Sequence, residues 1–230
     1  MAGPKKKQKQ KTKKASATRD PLEREKILEA AVALADADGV GSLSMRRLAG
    51  EVGVEAMSLY HHFANKDEIL DGMVDLVFGE IELPNAKQDW RTGMRTRALS
   101  ARAALSRHPW AVGLMDSPRN PGLATMRHHD RVLGCLRRAD FSLTLCAHAV
   151  ALIDSYIYGF VLQEISLPFD NSEELQAIGD EVLPRLPVEE FPHLVEMFHH
   201  ALQPGYSFAN QFHFGLDLIL DGLERKREAD

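Results

Sequence analysis

Cysteine, aromatic residues and strand-like alternation are all scarce in this chain, and each scarcity narrows what it can be. Only two cysteines, Cys135 and Cys146, occur in 230 residues. That excludes a disulfide framework and a zinc cluster, and it suits a reducing compartment such as the cytoplasm. Both read as small buried hydrophobes. Aromatics make up 7% of the chain and no stretch sustains the period-two pattern of a strand, so helices must carry the 44% hydrophobic content. There is no P-loop, no GxSxG and no Cys/His zinc spacing. The Lys-rich start has no apolar run and is not a secretory signal. Residues 142–162 are apolar enough to raise the question of a membrane span. His148 and Asp154 interrupt them, however, and an aspartate near a bilayer centre costs roughly 2.5–3.5 kcal/mol. A buried bundle helix is the better reading, and no membrane partner is expected.

Histidine is plentiful, with ten residues, and invites a metal-enzyme reading. Glu196-x-x-His199 and Glu190-x-x-His193 have the spacing used in di-iron bundles. Such sites need two motifs on different helices plus two further glutamates, and Pro192 breaks one of these. The expectation is therefore no enzyme, no metal and no cofactor.

Charge is unevenly placed. Residues 1–19, MAGPKKKQKQKTKKASATR, hold seven Lys and one Arg with no acid, a charge of +8 against a net −5, so the remainder carries −5 − 8 = −13. The segment has little to bury and is expected to be a disordered basic arm. It can lie along phosphates or enter a minor groove. A solubilising tail and, from PKKK, an import signal are the bland alternatives. Residues 20–66 carry five Lys/Arg against eight Asp/Glu, so the segment after the arm is itself slightly acidic, and if it met phosphates it would have reason to recruit charge from its neighbour.

Asp20, Pro21 and Glu23 form a capping-box start for a first helix, whose stripe of Ile27, Leu28, Ala31, Leu34 and Ala35 runs to a stop near Asp38 and Gly39. Ser44 caps a second helix. Leu48 and Val52 lie one turn apart on it, Ala49 allows a close crossing, and Gly53 can take the positive φ that ends it. Val54 and Leu59 pack a third helix, about Glu55 to Phe63, back onto the second. A fourth holds Ile69, Leu70, Met73, Val74, Val77 and Ile81 and ends before Pro84. Further helices are expected over about 90–107, 110–115, 122–138, 142–164, within the acidic stretch 170–187, and over 188–201 and 207–227. Phe208, Phe212, Leu216, Ile219, Leu220 and Leu223 line one side of the last, with Gly215 and Gly222 permitting close approach. The fold class is all-α.

Residues 44–66, SMRRLAGEVGVEAMSLYHHFANK, have the spacing of a helix-turn-helix, which places the start of its second helix in a DNA major groove. The string G-V-x-x-x-x-L-Y-x-H-F-x-x-K, here Gly53, Val54, Leu59, Tyr60, His62, Phe63 and Lys66, resembles the tetracycline-repressor (TetR) family of bacterial transcription regulators. Around the third helix, V-E-x-x-S-L-Y resembles the tetracycline repressors themselves.

After the basic arm read from composition at 1–19, the resemblance implies a three-helix DNA-binding head at 20–66 and a ligand-binding, dimerising helical bundle at 67–230. It places the Ser44 hydroxyl on phosphate, Arg46 on a base with Arg47 beside it, and Ala56, Met57, Ser58 and His61 towards base edges. Tyr60, His62 and Lys66 fall towards phosphates. Ala56 and Met57 depart from the polar reader of the tetracycline repressors. They can touch a thymine methyl but cannot donate a bidentate hydrogen bond, so the operator should differ. Gln163 falls where those repressors hold a metal-coordinating glutamate, and no histidine between 109 and 127 matches their metal-binding one, which argues against magnesium-tetracycline. Trp110, Met115, His129, Tyr156 and Gln163 are candidate lining for an apolar cavity with a few polar anchors, suited to a mostly hydrophobic effector. Core packing is the competing reading for each.

The 142–164 and 207–227 helices supply more apolar surface than one body needs, and the family pairs them with their copies in a homodimer. The expected partners are double-stranded operator DNA, a small-molecule effector and a second copy. The expected function is a ligand-released, cytoplasmic transcriptional repressor. An architectural DNA-binding protein driven by the arm is the alternative.

Overall fold

The computed structural model describes residues 24–116 and 118–229. The basic arm and the Asp20, Pro21 and Glu23 cap lie outside the described residues. Among the described residues there is no strand, and the all-α expectation holds.

The first helix, α1 (Arg24–Asp38), buries Ile27, Leu28, Ala31, Leu34 and Ala35, the stripe read from the sequence. Helix α2 (Met45–Glu51) starts where the Ser44 hydroxyl accepts from Arg47 N at 3.2 Å. It ends at Gly53, whose φ of 70° suits a glycine and lets Val54 N donate back to Ala49 O at 2.9 Å. Leu48 on α2 and Leu59 on α3 (Ala56–Leu59) are fully buried against each other's layer.

The third helix is shorter than the sequence suggests. Beyond Leu59 the amides of His61 and His62 bond three residues back, to Ser58 O and Leu59 O, so the chain tightens into a turn. The side chain of Glu55 forms no cap at its start.

Helix α4 (Lys66–Glu80) is capped reciprocally. Asn65 Oδ1 accepts from Glu68 N at 2.9 Å, and the Glu68 carboxylate accepts from Ala64 N at 2.7 Å. The latter bond, then Arg24, holds the Glu68 carboxyl below its ordinary range. Ile69 and Met73 belong to one buried apolar cluster with α1, α2 and α3, whereas Val74, Val77, Phe78 and Ile81 belong to a second, larger one. One rod therefore roots in both cores.

The larger cluster is built by α5 (Trp90–Arg107), a 3-10 segment (Pro109–Leu114), α6 (Leu123–Arg138), α7 (Leu143–Ile165) and α10 (Phe208–Arg227). Helix α7 packs on α5, α6 and α10. Arg102 clamps α5 to α7 through Glu164, with Nε to Oε2 at 2.9 Å, while Arg91 and Arg95 pair with Asp221 and Asp217 on α10. Tyr156 crosses α10 so closely that a Cβ on Gly215 would lie 2.3 Å from its hydroxyl oxygen.

Two outer helices, α8 (Ser172–Val182) and α9 (Pro192–Ala201), fill the 170–201 stretch. The last of these was expected from 188. It starts instead at Pro192, which has no amide proton to donate and disfavours helical backbone at Phe191, left at φ −124° and ψ 53°.

Candidate nucleic-acid interface and interior polar site

The head presents α3 on one side. Met57, Tyr60 and His61 are exposed there, with Glu55 at the helix start, while Ala56, Ser58, His62 and Lys66 are partly covered. Ala56 leans on the head's core. Two of the basic and polar residues singled out from the sequence are already engaged. The Ser44 hydroxyl caps α2, and Arg47 pairs with Asp38 at the end of α1. Arg46 is exposed and has no partner among the described residues. Arg24 holds the far end of the α3 turn: it donates to His62 O, pairs with Glu68 at 2.7 Å and lies 4.1 Å from the centroid of the Phe63 ring. The start of α1 thus fixes the posture of the reading helix.

A seam joins head to body at the end of α5. His108 places Nδ1 2.8 Å from Asp36 of α1 and Nε2 3.0 Å from Glu80 of α4. Trp110 donates its indole proton to the same Asp36 oxygen at 2.6 Å, and its ring packs against both apolar clusters. Burial alone would raise the Glu80 carboxyl, but hydrogen bonds from Arg107 and His108 outweigh it and hold the group below its ordinary range. A second grip lies further along α4. Asp71 accepts from Arg119 N and Asn120 N, and Asp75 accepts from Thr125 N at 2.7 Å and Thr125 Oγ1 at 2.8 Å. Gly122 stands at the cap position of α6 with no side chain to offer, and a Cβ there would meet the Asp75 carboxylate at 2.2 Å. Asp75 is therefore the cap of α6, supplied from another helix.

The five residues read as candidate cavity lining do not converge. Trp110 sits on the seam, and Met115 is buried in the large core. Tyr156 donates towards Gln211 O and Phe212 O of α10, both at 3.1 Å, and Gln163 is exposed on α7. His129, also exposed, lines a cavity of about 370 Å³ between α6 and α7 with Asp116, Val132, Leu133, Val150 and Asp154. Tyr156 and Gln163, two helical turns apart, share one face of α7, and that face points at α10 and solvent.

What lies inside the body is a polar cluster whose combination the sequence reading missed. Arg97 of α5 is 2% exposed and pairs through Nη1 with Asp154 of α7, while its Nε donates to His128 Nε2 of α6 at 3.1 Å. A signal was available: Arg97 interrupts the stripe Trp90, Gly93, Met94, Ala98 and Ala101, and His128 interrupts Thr125, Val132 and Cys135. A charge on an apolar stripe needs a buried partner. Burial, then the Arg97 charge, then His129 pull the His128 pKa down to about 3. Among the described residues no group of three or more His, Cys, Asp or Glu could hold a metal ion.

Comparison with known proteins agrees with this arrangement. A profile of bacterial regulatory proteins of the tetR family matches residues 27–73, and one described as tetracyclin repressor-like, C-terminal domain, matches residues 83–227. The transcriptional repressor DrrR1 of Streptomyces coeruleorubidus is 31% identical over 211 residues, covering 87% of this chain and 76% of that protein. The class G tetracycline repressor of Vibrio anguillarum is 30% identical over 217 residues, covering 90% and 96%. Among solved structures, Streptomyces coelicolor ActR in complex with actinorhodin superposes with a TM-score of 0.72 at 28% identity, covering 90% of this chain and 99% of that one. With one profile on the head, another on the body and relatives that span both, the chain belongs to the tetR family of bacterial regulatory proteins.

Proposed function

We propose that residues 20–66 form a DNA-reading head, that 67–230 form an effector-binding and dimerising body, and that α4 transmits between them. As a family member the chain is a transcriptional regulator, a ligand-responsive repressor. The single observation that supports the residue-level reading is α4 itself, which roots in both apolar cores and is held through Asp71 by the loop before α6 and through Asp75 by the start of α6. On the head, Arg46, Met57, Tyr60 and His61 meet base edges or phosphates, and Ser44, Arg47, Ala56, Ser58, His62 and Lys66 support or flank them. An effector need only bind the induced arrangement better than the DNA-competent one for the population to shift.

The body's partner is a second copy. Helices α7 and α10 pack together yet leave Leu152, Leu162, Phe214 and Leu218 exposed, Phe214 66% so. A single short reading helix covers too few base pairs to select a site, and a two-fold pair reads an inverted repeat. The relatives' names support an effector: ActR is described in complex with actinorhodin and with (S)-DNPA. We infer a cytoplasmic protein whose sites bind rather than catalyse.

Selection of bound fragments from a random duplex library with full-length protein at near-physiological salt tests this. Enrichment of an inverted repeat is the expected result. Tight binding without enrichment would move the affinity to the basic arm and the function to an architectural one.

A further inference from the structure

Head and body are joined by more than one strut. Helix α4 roots in both apolar clusters, whereas α1 contributes to the head's cluster alone. A single rod leaves a head free to twist about it, and a second fastening fixes the angle. His108 supplies that fastening. It closes α5 just before Pro109, is buried, and reaches Asp36 of α1 with one ring nitrogen and Glu80 of α4 with the other, at 2.8 and 3.0 Å.

Both nitrogens face acceptors. The indole of Trp110 donates to the same Asp36 oxygen at 2.6 Å, so that oxygen presents lone pairs. Burial would raise the Glu80 carboxyl, but hydrogen bonds from Arg107 and His108 outweigh it and keep the group ionised. A neutral imidazole has one N–H and one bare nitrogen, and either tautomer would set a lone pair against one of these oxygens. Only the imidazolium donates to both. Asp36, Glu80 and Arg107 are the charged groups that meet at the ring from α1, α4 and α5, and the 3-10 segment adds the Trp110 indole, which does not titrate.

We propose that His108 is a positioning residue for operator binding, fastening α1 and α4 to the end of α5 only while both of its ring nitrogens carry protons. The proposal rests on the reading of residues 20–66 as a DNA-reading head and adds the group that sets its angle. The fastened form holds one proton more than an open form with a neutral ring, so it is favoured at low pH and lost as pH rises. Two heads must meet an inverted repeat at a fixed spacing, and loosening each head therefore weakens operator binding.

The variant Glu80→Gln separates the proton from the fastening. Arg107 donates to Glu80 Oε2 at 2.5 Å, while His108 faces Oε1. A carboxamide there keeps its oxygen on Arg107 and turns its NH2 towards His108 Nε2, which suits a neutral ring whose Nδ1–H still serves Asp36. Full-length protein labelled with nitrogen-15 at histidine is followed by NMR from about pH 6 to about pH 9, a range that brackets the ordinary imidazole titration. The wild type is expected to show both His108 nitrogens protonated at the low end. As that proton leaves, amide protection in the last turn of α1 should fall on the order of tenfold, and affinity for the enriched duplex should fall in step. In Glu80→Gln the ring should show a bare Nε2, with protection and affinity held. Any response of His61 and His62 beside the DNA is common to both proteins and cancels in the comparison. A neutral His108 ring in the wild type at about pH 6 overturns the proposal and needs no variant. Equal pH responses in the two proteins overturn it too. Ring state and amide protection are read without DNA, so failure of the regulator reading appears separately, as absence of an enriched inverted repeat.

Discussion

At the scale of single residues, the interior histidine and the surface arginine make opposite demands. His128 is neutral in the folded protein, with a pKa of about 3, and titrates near 6.5 once unfolded. Its contribution to stability is complete above 6.5 and is lost as pH falls from there towards 3, because the unfolded chain then binds the extra proton. The unfolding free energy from urea titrations should thus drop by roughly 1.4 kcal/mol per pH unit below 6.5, and His128→Gln should flatten that slope between pH 6.5 and 5. A wild-type profile flat over that window would count against a buried neutral ring. Arg46, exposed and without a partner among the described residues, is expected to cost roughly 1–3 kcal/mol on the preferred operator when replaced by Ala, with preference relaxed at one base position. Equal losses on all sequences would mark a phosphate contact. Periodicity made the apolar stripe of α1 and the Gly53 turn legible, since each depends on neighbours within a few residues. The Arg97, His128 and Asp154 cluster was not legible, because its members are 31 and 57 residues apart and only packing brings them together.

Among the elements, α6 is unusual in borrowing its cap. Ser142 and Asp89 cap α7 and α5 from the adjoining position, as their sequence order suggests. The cap of α6 comes from Asp75, some fifty residues upstream, where no local pattern could point to it. Asp75→Ala is expected to destabilise the protein by about 1–2 kcal/mol and to speed amide exchange at residues 124–126, with Asp75→Asn recovering part of both. Unchanged exchange there would mean that solvent caps the helix equally well. The same dependence on surroundings explains the two helices whose extents differ from the sequence reading. Pro192 sets the start of α9 by its missing donor, and the α3 turn is drawn tight where Arg24 takes up His62 O.

For the whole molecule, assembly follows from the surface that α7 and α10 leave uncovered. Phe214→Glu places a charge in the middle of it and should shift sedimentation from dimer to monomer at micromolar concentration. Binding to an inverted repeat should fall with it, while far-UV circular dichroism is retained. A variant that stays dimeric would send the search for the partner surface elsewhere, with Leu194 and Met197 of α9 the next exposed apolar residues to try.

The chain also carries its own optical gauge. It has two tryptophans. Trp90 lies within the body, where its indole nitrogen donates to Glu224 at 2.9 Å, whereas Trp110 straddles both cores with its own nitrogen on Asp36. Any parting of α1 from the body strips the second indole of its carboxylate and wets its ring, while the first remains dry. The colour and quenching of ultraviolet emission therefore divide into a constant part and a part that reads the seam, with no dye attached.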